Sequence, residues 1–241
     1  MPNARWLGSM KALLLVSVML PASLLSGPAW AADSFENAVK LAQPAIHIAE
    51  DGKHALIEIP LTNLSGLTIT AWSYSVQLRY PDGSTRVAGP LLVDSVSSLQ
   101  KGNERDSFLP GATRNLTATV PLDDAGEPPL TANAALRVIA FADKSAIGDS
   151  IEIGQLASSR RSMAGRMSEV LAEIEKARQS PNPRAEMEAL AKRYPGAIVL
   201  QLVPLVDNPT AIDAALSKYR DYRDLLNQHS ALNQQAFSPA K

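Results

Sequence analysis

The sequence predicts a mainly β protein with some α-helix, in which an antiparallel β-sandwich is followed by a helical C-terminal region. From Ala71 to Tyr80, large apolar residues alternate with small polar ones, which is the period of a strand with one buried face. Asp-Gly and Pro-Gly turn signals separate further runs of this kind before residue 149. Beyond that point, apolar residues recur at steps of three and four, which is the period of a helix.

The composition is that of an ordinary globular chain. It has 241 residues, of which 46% are apolar and 20% are charged, enough for one domain and an appendage. The absence of cysteine excludes disulfides, thiolate metal sites and a cysteine nucleophile. Residues 32–154 carry 9 Lys and Arg against 15 Asp and Glu (net −6), and residues 155–241 carry 12 against 9 (net +3). Ordinary solvated faces explain a contrast of this size.

Residues 1–31 have the form of a secretory signal peptide. Arg5 and Lys11 precede an apolar run, and Ala29-Trp30-Ala31 has the small-x-small form of a signal-peptidase site. We therefore expect a mature chain that starts at Ala32, is periplasmic or secreted, and has no transmembrane span after cleavage.

An uncleaved membrane anchor is the alternative to a signal peptide. It is disfavoured because Pro21 interrupts the apolar run, whereas a spanning helix needs about 20 mostly apolar residues. Export without cysteine suits a bacterial envelope better than a eukaryotic extracellular space. Residues 32–42 are interpreted as a leader.

The dipeptide Asp51-Gly52 predicts a two-residue hairpin turn. With this turn, Ile48 faces Ala55 and Ile46 faces Ile57, so the apolar set lies on one face of the hairpin. The opposite face carries His47, His54, Leu56 and Glu58.

The strand from Ala71 to Tyr80 is interpreted as the centre of the sandwich, with its polar face toward solvent. Pro81-Asp82-Gly83 then turns the chain into a short strand near residues 85–88, and residues 91–93 predict another, which makes the order a meander. Residues 94–107 are polar and have no clear period, which favours a mobile surface loop.

Later strands complete the predicted sandwich, which spans residues 43–149. Asn115 to Leu122 has one apolar face, whereas Ala134 to Ala142 is apolar on both faces apart from Arg137, so something must cover its second face. A last short strand ends near Gly148. The predicted core residues are Ile57, Ile59, Trp72, Tyr74, Val76, Leu78, Leu116 and Val138.

Short turn and strand patterns mark this region: Asn63-x-Ser65, Ile69-Thr70-Ala71-Trp72, the Asp82-Gly83 turn, Leu109-Pro110-Gly111 before a Thr-rich strand, and Phe141-Ala142-Asp143 followed by Gly148-Asp149. Together they resemble exported bacterial proteins that have an immunoglobulin-like β-sandwich and no assigned activity. The resemblance covers residues 44–150 and implies a fold but no chemistry. The chain departs from it at Lys144-Ser145, where a Gly-Thr turn is expected, and it lacks the paired cysteines of antibody domains.

Residues 150–236 are interpreted as a helical region, and residues 237–241 as a frayed tail. The first helix is expected from Asp149 to Ser180, because Asp149 is a start signal and Pro181 cannot continue a helix. Its seam contains Ile153, Leu156, Arg160, Met163, Met167, Val170, Ile174 and Ala177.

A second helix is predicted from Arg184 to Arg193, with Asn182 as its cap. Asn208-Pro209 repeats this start signal for a third helix, whose apolar stripe is Ile212, Leu216, Tyr219 and Leu226. Between these helices, Ala197 to Val206 fits either a buried strand or an irregular buried helix, and we favour the helix.

The two parts of the chain are expected to pack on each other. The strand with two apolar faces and the seam of the first helix both need a partner, so Ile153 and Leu156 should dock near this sheet. Met163, Met167, Val170 and Ile174 are then expected to pack on the other helices or on another subunit.

No catalytic motif emerges, so an enzyme is not predicted and no cofactor is expected. No serine stands in a Gly-x-Ser-x-Gly turn, and no glycine-rich loop is present to cradle a phosphate. Arg160-Arg161 with Arg166 is a basic patch without interleaved aromatics, which disfavours nucleic acid. The predicted function is that of an exported, non-enzymatic binding or assembly protein, whose partner is another envelope or secreted protein.

Two alternatives stay open. In the hairpin register, His47 and His54 are diagonal neighbours about 7 Å apart, and Glu58 shares their face. These are ligand types for Zn²⁺ or Cu²⁺, although the polar side of an edge hairpin is the favoured explanation. The second alternative is a structural envelope component that self-associates through the long helix.

Overall fold

A computed structural model describes the following parts of the protein: residues 35–100, 103, 106–124, 126–195 and 197–234. The predicted signal peptide and the predicted tail lie outside the described residues. Within the described ranges, no helix is both long and apolar enough to cross a membrane.

The β part begins inside the segment predicted as a leader, and its last strand follows all the helices. In chain order, the strands of the described residues are β1 (Val39–Leu41), β2 (Ala45–Ile48), β3 (His54–Asn63), β4 (Ile69–Arg79), β5 (Thr85–Asp94), β6 (Thr113–Pro121), β7 (Thr131–Phe141), β8 (Ser145–Gly148) and β9 (Asn233–Gln234).

The strands form two sheets. In the first sheet β3 is central, with β6 along one edge and the short β1 and β2 along successive parts of the other edge. The second sheet has the order β5-β4-β7-β8-β9, and all its pairs are antiparallel except β8 with β9. The prediction of antiparallel sheets followed by a helical C-terminal region is confirmed. The protein is mixed β and α, however, and not mainly β, because its helices contain about as many residues as its strands.

The register predicted for the first hairpin is confirmed, because Ile46 faces Ile57 and Ile48 faces Ala55. The predicted meander is wrong, because β3 and β4 belong to different sheets. The two strands predicted between residues 85 and 93 are in fact one strand, β5.

A buried polar turn directs the crossing from β3 to the second sheet. The side-chain amide of Asn63 donates to the carbonyl of Leu67 at 2.9 Å and to the carbonyl of Phe108 at 3.0 Å. The hydroxyl of Ser65 donates to the amide oxygen of Asn63 at 2.6 Å. These bonds satisfy buried polar groups, so the turn is held in one conformation.

The main core lies between the two sheets. All eight predicted core residues are buried, and seven of them belong to this core together with residues of β6 and β7. Trp72 packs edge-on against Phe108 with ring centroids 5.3 Å apart. Val138 is the exception, since it belongs to a cluster on the other face of the second sheet.

The helical region contains four α-helices in the described residues: α1 (Ser150–Arg178), α2 (Pro183–Arg193), α3 (Ala197–Leu202) and α4 (Pro209–Gln228), with a short 3₁₀ helix at Val203–Leu205. Asp149, Asn182 and Asn208 cap α1, α2 and α4 by accepting hydrogen bonds from the first-turn N–H groups. The helix at Ala197–Leu202 and the 3₁₀ helix after it confirm the helical interpretation of the segment from 197 to 206.

The expected docking of α1 is confirmed as well. Ile153 and Leu156 of α1 pack with Val138 and Ala140 of β7, which covers the second apolar face of that strand. Farther along the helix, apolar residues pack on α2, α3 and α4 in a separate core that includes Met167, Val170 and Ile174.

The first half of β4 is buried on both faces, so the expectation of one solvated face is wrong there. Ser73 is buried, and its hydroxyl donates to a carboxylate oxygen of Glu152 on α1 at 2.9 Å. The other oxygen of Glu152 accepts from Nε of Arg137 at 2.8 Å. Gln77 and Arg79, in the second half of the strand, are exposed as expected.

The predicted mobile loop at residues 94–107 begins instead with ordered structure. Val96–Leu99 form a 3₁₀ helix. Val96 is buried against Ala164 of α1 and Leu226 of α4. The polar composition of residues 94–107 gave no indication of the contact between Val96 and the helical region.

Candidate functional site

On one side of the sheet pair, tyrosine side chains bond to the backbone of the edge strand β6. The Tyr74 hydroxyl donates to the carbonyl of Thr117 at 2.7 Å and accepts from the N–H of the same residue at 3.0 Å. The Tyr80 hydroxyl donates to the carbonyl of Pro121 at 2.9 Å. Because β3 occupies the other edge of β6, these bonds engage Thr117 and Pro121 on its outer edge. Burial raises the pKa of both phenols.

The opposite side of the sheet pair is open because the strands there are short. β8 pairs only with the end of β7, from Val138 to Ala140. In the described part of the chain, residues 131–136 of β7 therefore have β4 on one edge and no strand on the other. β2 likewise has only β3 beside it among the described strands. Unpaired edges of this kind present N–H and C=O groups to an incoming strand.

The unpaired edges of β2 and β7 belong to the same side of the molecule. β1 and β2 share the edge of the first sheet that lies away from β6. Phe35, just before β1, lies so close to β8 that a Cβ placed on Gly148 would be 2.9 Å from its ring. The edge that holds β1 and β2 therefore faces the β8 side of the second sheet.

The two unpaired edges also lie at the same end of the sheets. β2 pairs with the first residues of β3, and there His54 faces Pro121 at the end of β6. Pro121 is bonded to Tyr80, which directly follows β4, and the last residue of β4 pairs with Thr131, the first residue of β7. The first residues of β7 and the whole of β2 therefore border one opening.

Apolar side chains line this opening, which we call the open side: β2, residues 131–136 of β7, and the gap between them. Ile46, Ala134 and Leu136 are half-buried at the border of the main core. Ile48 lies on the same inner face as Ile46, yet 58% of its surface is exposed. An unpaired backbone edge beside exposed apolar surface is a feature of interaction sites.

The predicted metal ligands lie on the first hairpin but do not form a ligand set. Nδ1 of His54 lies 2.5 Å from Oδ2 of Asp51 in the hairpin turn. A hydrogen bond from the backbone N–H of Lys53 is the main cause that lowers the pKa of the Asp51 carboxyl, and the hydrogen bond with the His54 side chain lowers it further. His47 and Glu58 stand on β2 and β3. Among the residues that the structure describes, no group of three His, Cys, Asp or Glu side chains is placed to hold a metal ion.

A buried ionic cluster joins the sheets to the helices, and sequence reasoning missed it. Arg160 of α1 is 1% exposed, and its Nε and Nη2 each donate to Asp94, at the end of β5, at 2.8 Å. Its Nη1 donates to the carbonyl of His229 at 2.9 Å. The available signal was the position of Arg160 within an otherwise apolar helix seam.

His229 is buried beside this cluster, directly after α4. Among the described residues, its Nδ1 atom is buried without a hydrogen-bond partner. Burial lowers the pKa of the imidazole below its ordinary value, and the nearby cations Arg160 and Lys144 lower it further. The cluster positions the helices on the second sheet and lies away from the open side.

A shallow hollow of about 210 Å³ lies on the outer face of the second sheet. It is lined by Gln77, Leu78, Arg79, Thr85, Thr131 and Asn133. This lining contains amides, hydroxyls and one cation, but no carboxylate or imidazole for acid–base chemistry. The open side is therefore the stronger candidate for a functional surface.

No family model matches the chain, and neither does any curated protein. Among solved structures, the X-ray structure of a hypothetical protein from Peptoclostridium difficile 630 is similar at 14% sequence identity and a TM-score of 0.29, over 50% of this chain and 91% of that chain. A likeness of this size carries no argument about fold or function.

Proposed function

We propose that this protein is an exported, non-enzymatic binding or assembly protein of the bacterial envelope. In this proposal, the open side binds an extended segment of another envelope or secreted polypeptide. The supporting observation is that the unpaired edge at residues 131–136 and the exposed side chain of Ile48 border the same opening. Export rests on the signal-peptide pattern of residues 1–31.

An immunoglobulin-like fold for the β part belongs to the same proposal. If β2 to β8 correspond to strands A, B, C, C′, E, F and G, then the first sheet contains A-B-E and the second contains C′-C-F-G. Immunoglobulin-type domains divide their strands between two sheets in this way. An experimental structure with a different strand order would contradict this assignment.

Strand addition is the binding mode that fits the open side. A strand laid beside residues 131–136 would pair with the backbone over about 20 Å. Its alternate side chains would cover Ile48 and Leu136, and each aliphatic side chain that becomes fully buried contributes about 1.5 to 3 kcal/mol. In this mode backbone hydrogen bonds supply affinity, and pockets for alternate side chains supply specificity.

Self-association through the long helix has less support. The seam of α1 packs on β7 at its start and on α2, α3 and α4 farther along, so it is already covered within one chain. An isologous helix pair would need this seam to be free.

The test is a capture experiment with matched surface variants. The mature chain, Ile48→Lys and Leu200→Lys are each used as bait for the envelope fraction of the native host. Leu200 on α3 is 54% exposed and Ile48 is 58% exposed, so the two lysines have similar folding costs. We expect a stoichiometric partner that the wild type and Leu200→Lys retain and that Ile48→Lys loses.

A photo-reactive phenylalanine analogue in place of the exposed Ala45 would then map the bound segment. Cross-links to one extended stretch of the partner support strand addition. Equal capture by Ile48→Lys and the wild type, or equal loss in both variants, would contradict the proposed site. If light scattering shows a dimer of the purified chain that Ile48→Lys dissociates, then the occupant is a second copy and the proposed partner is wrong.

Export has its own test, which is the N-terminal residue of the native protein. We expect Ala32 or a residue beside it, because signal peptidase cleaves after a small-x-small sequence. Intact Met1 in a membrane fraction would contradict export with cleavage.

A further inference from the structure

We propose that His229 makes the contact between the helical region and the second sheet sensitive to mild acid, so that protonation of its ring loosens residues 226–234 from the sheet. This inference goes beyond the proposed binding function and does not depend on it. It rests on the position of one buried imidazole and on the groups that surround it.

His229 stands where three parts of the fold meet. It follows α4, and its backbone N–H bonds back to the carbonyls of Asn227 and Leu225. Its own carbonyl accepts the hydrogen bond from Arg160 of α1. Farther along the chain, Leu232 packs on the cluster between α1 and β7, and Asn233 pairs with Ser145 of β8.

The carboxylates near the ring already accept hydrogen bonds from other groups. The cations are Arg160 of α1 and Lys144 of the turn before β8, and the carboxylates are Asp94 of β5 and Asp143 of the same turn. Both oxygens of Asp94 already accept hydrogen bonds from Arg160.

Asp143 is also engaged, because Oδ1 accepts from the hydroxyl of Ser145 at 2.5 Å and from its N–H at 2.9 Å. In addition, Arg161 approaches the segment, since its Nη1 donates to the carbonyl of Ser230 at 3.3 Å. A protonated ring would therefore add a positive charge beside Arg160 at a buried position where Asp94 and Asp143 already accept other hydrogen bonds, which is costly.

The direction of the pH effect follows from the neutral state of the buried ring. Its pKa is lower in the folded chain than in the unfolded chain. The stabilising contribution is thus fully present above about pH 6.5 and is lost as the pH falls toward the folded pKa. Within that window the opening equilibrium rises by up to about tenfold per pH unit.

The experiment is hydrogen exchange on the full mature chain between about pH 7.5 and about pH 5. Protection factors, corrected for the intrinsic exchange rate, are compared between residues 226–234 and the core strand β4. We expect protection of residues 226–234 to fall by up to about tenfold per pH unit while β4 stays protected. His229→Phe should remove this loss, whereas His47→Gln, at an exposed histidine, should keep it.

An NMR titration of the wild-type rings gives a second measurement that needs no variant. The chain has 3 histidines, so the ring signals are simple to assign. We expect His229 to titrate below the ordinary pKa of histidine, about 6.5. A His229 pKa at or above that ordinary value, or an acid response that His229→Phe leaves unchanged, would overturn the proposal.

Discussion

The two sides of the sheet pair differ in what bonds to the outer backbone of their edge strands. On the β6 side, the hydroxyls of Tyr74 in β4 and of Tyr80, directly after β4, bond to the outer backbone of the edge strand. On the open side, β2 and the first half of β7 end the sheets without a neighbouring strand among the described residues. The comparison shows that side-chain hydroxyls can bond to an edge strand where a neighbouring strand is absent, as at Thr117 and Pro121 of β6. On the same side, β5 has only β4 beside it among the described strands.

The difference arises where β8 ends. β7 has 11 residues and β8 has 4, because Gly148 turns the chain away from the sheet and Asp149 starts α1. Gly148 has a φ of 118°, and a Cβ at this position would lie 2.0 Å from the carbonyl oxygen of Arg137. The residues that begin the long helix therefore also create the unpaired edge of β7.

The largest effect is expected at the core that both sides share. Trp72→Ala should lower the free energy of unfolding by about 3 to 5 kcal/mol, since it removes a large buried aromatic side chain. Ser73→Ala, on the other face of β4, should cost about 1 kcal/mol for the lost hydrogen bond to Glu152. Urea denaturation of both variants measures the difference. Equal costs would contradict the burial of Trp72 in the main core.

A smaller effect is expected on the β6 side. Tyr74→Phe should lower the free energy of unfolding by about 1 to 3 kcal/mol, because it leaves the N–H and C=O of Thr117 without their partner.

The Tyr74 pKa is raised in the folded state. Its stabilising contribution is therefore present below about pH 10 and is lost above it. The wild type should lose stability through this range in thermal unfolding, and Tyr74→Phe should lose less. If Tyr74→Phe loses as much stability above about pH 10 as the wild type does, then Tyr74 is not the cause of that loss.

The smallest effect is expected on the open side. Ile48→Lys should change the free energy of unfolding by less than about 0.5 kcal/mol, because the side chain is mostly exposed in the isolated chain. The same variant is expected to abolish partner capture, so stability and binding should separate at this position. A loss of several kcal/mol, measured by urea denaturation, would mean that the open side is covered in the free protein.

Local patterns predicted those elements whose neighbours are close in sequence. The Asp51-Gly52 turn and the alternation around it predicted the register of β2 and β3 residue by residue. The apolar character of both faces of β7 predicted a covering layer, and α1 provides it. Helix caps such as Asn182 predicted where helices begin, because the cap bonds lie within a few residues of each other.

The sheet assignment and the candidate site were not predicted, because they depend on distant contacts. Nothing in the alternation of β3 and β4 indicates that the chain crosses between sheets, since each strand has the same pattern in either arrangement. The open side depends on how far β8 extends along β7, which is a matter of pairing length and not of composition. By contrast, the pair His47 and His54 was found from the sequence. In the structure, however, the His54 ring bonds to Asp51.

The sequence by itself determined the division into a β part and a helical region, the strand and helix periods, the hairpin register and the residues of the main core, because these follow from turn chemistry and from which faces must leave water. The tertiary structure alone decided which side of the sheets stays open, which polar residues are buried, and where Arg160, Asp94 and His229 meet. The physical reason is that a charged or polar side chain reads as solvent-exposed in a local pattern. Only a partner about 70 residues away, such as Asp94 or His229 for Arg160, makes its burial stable.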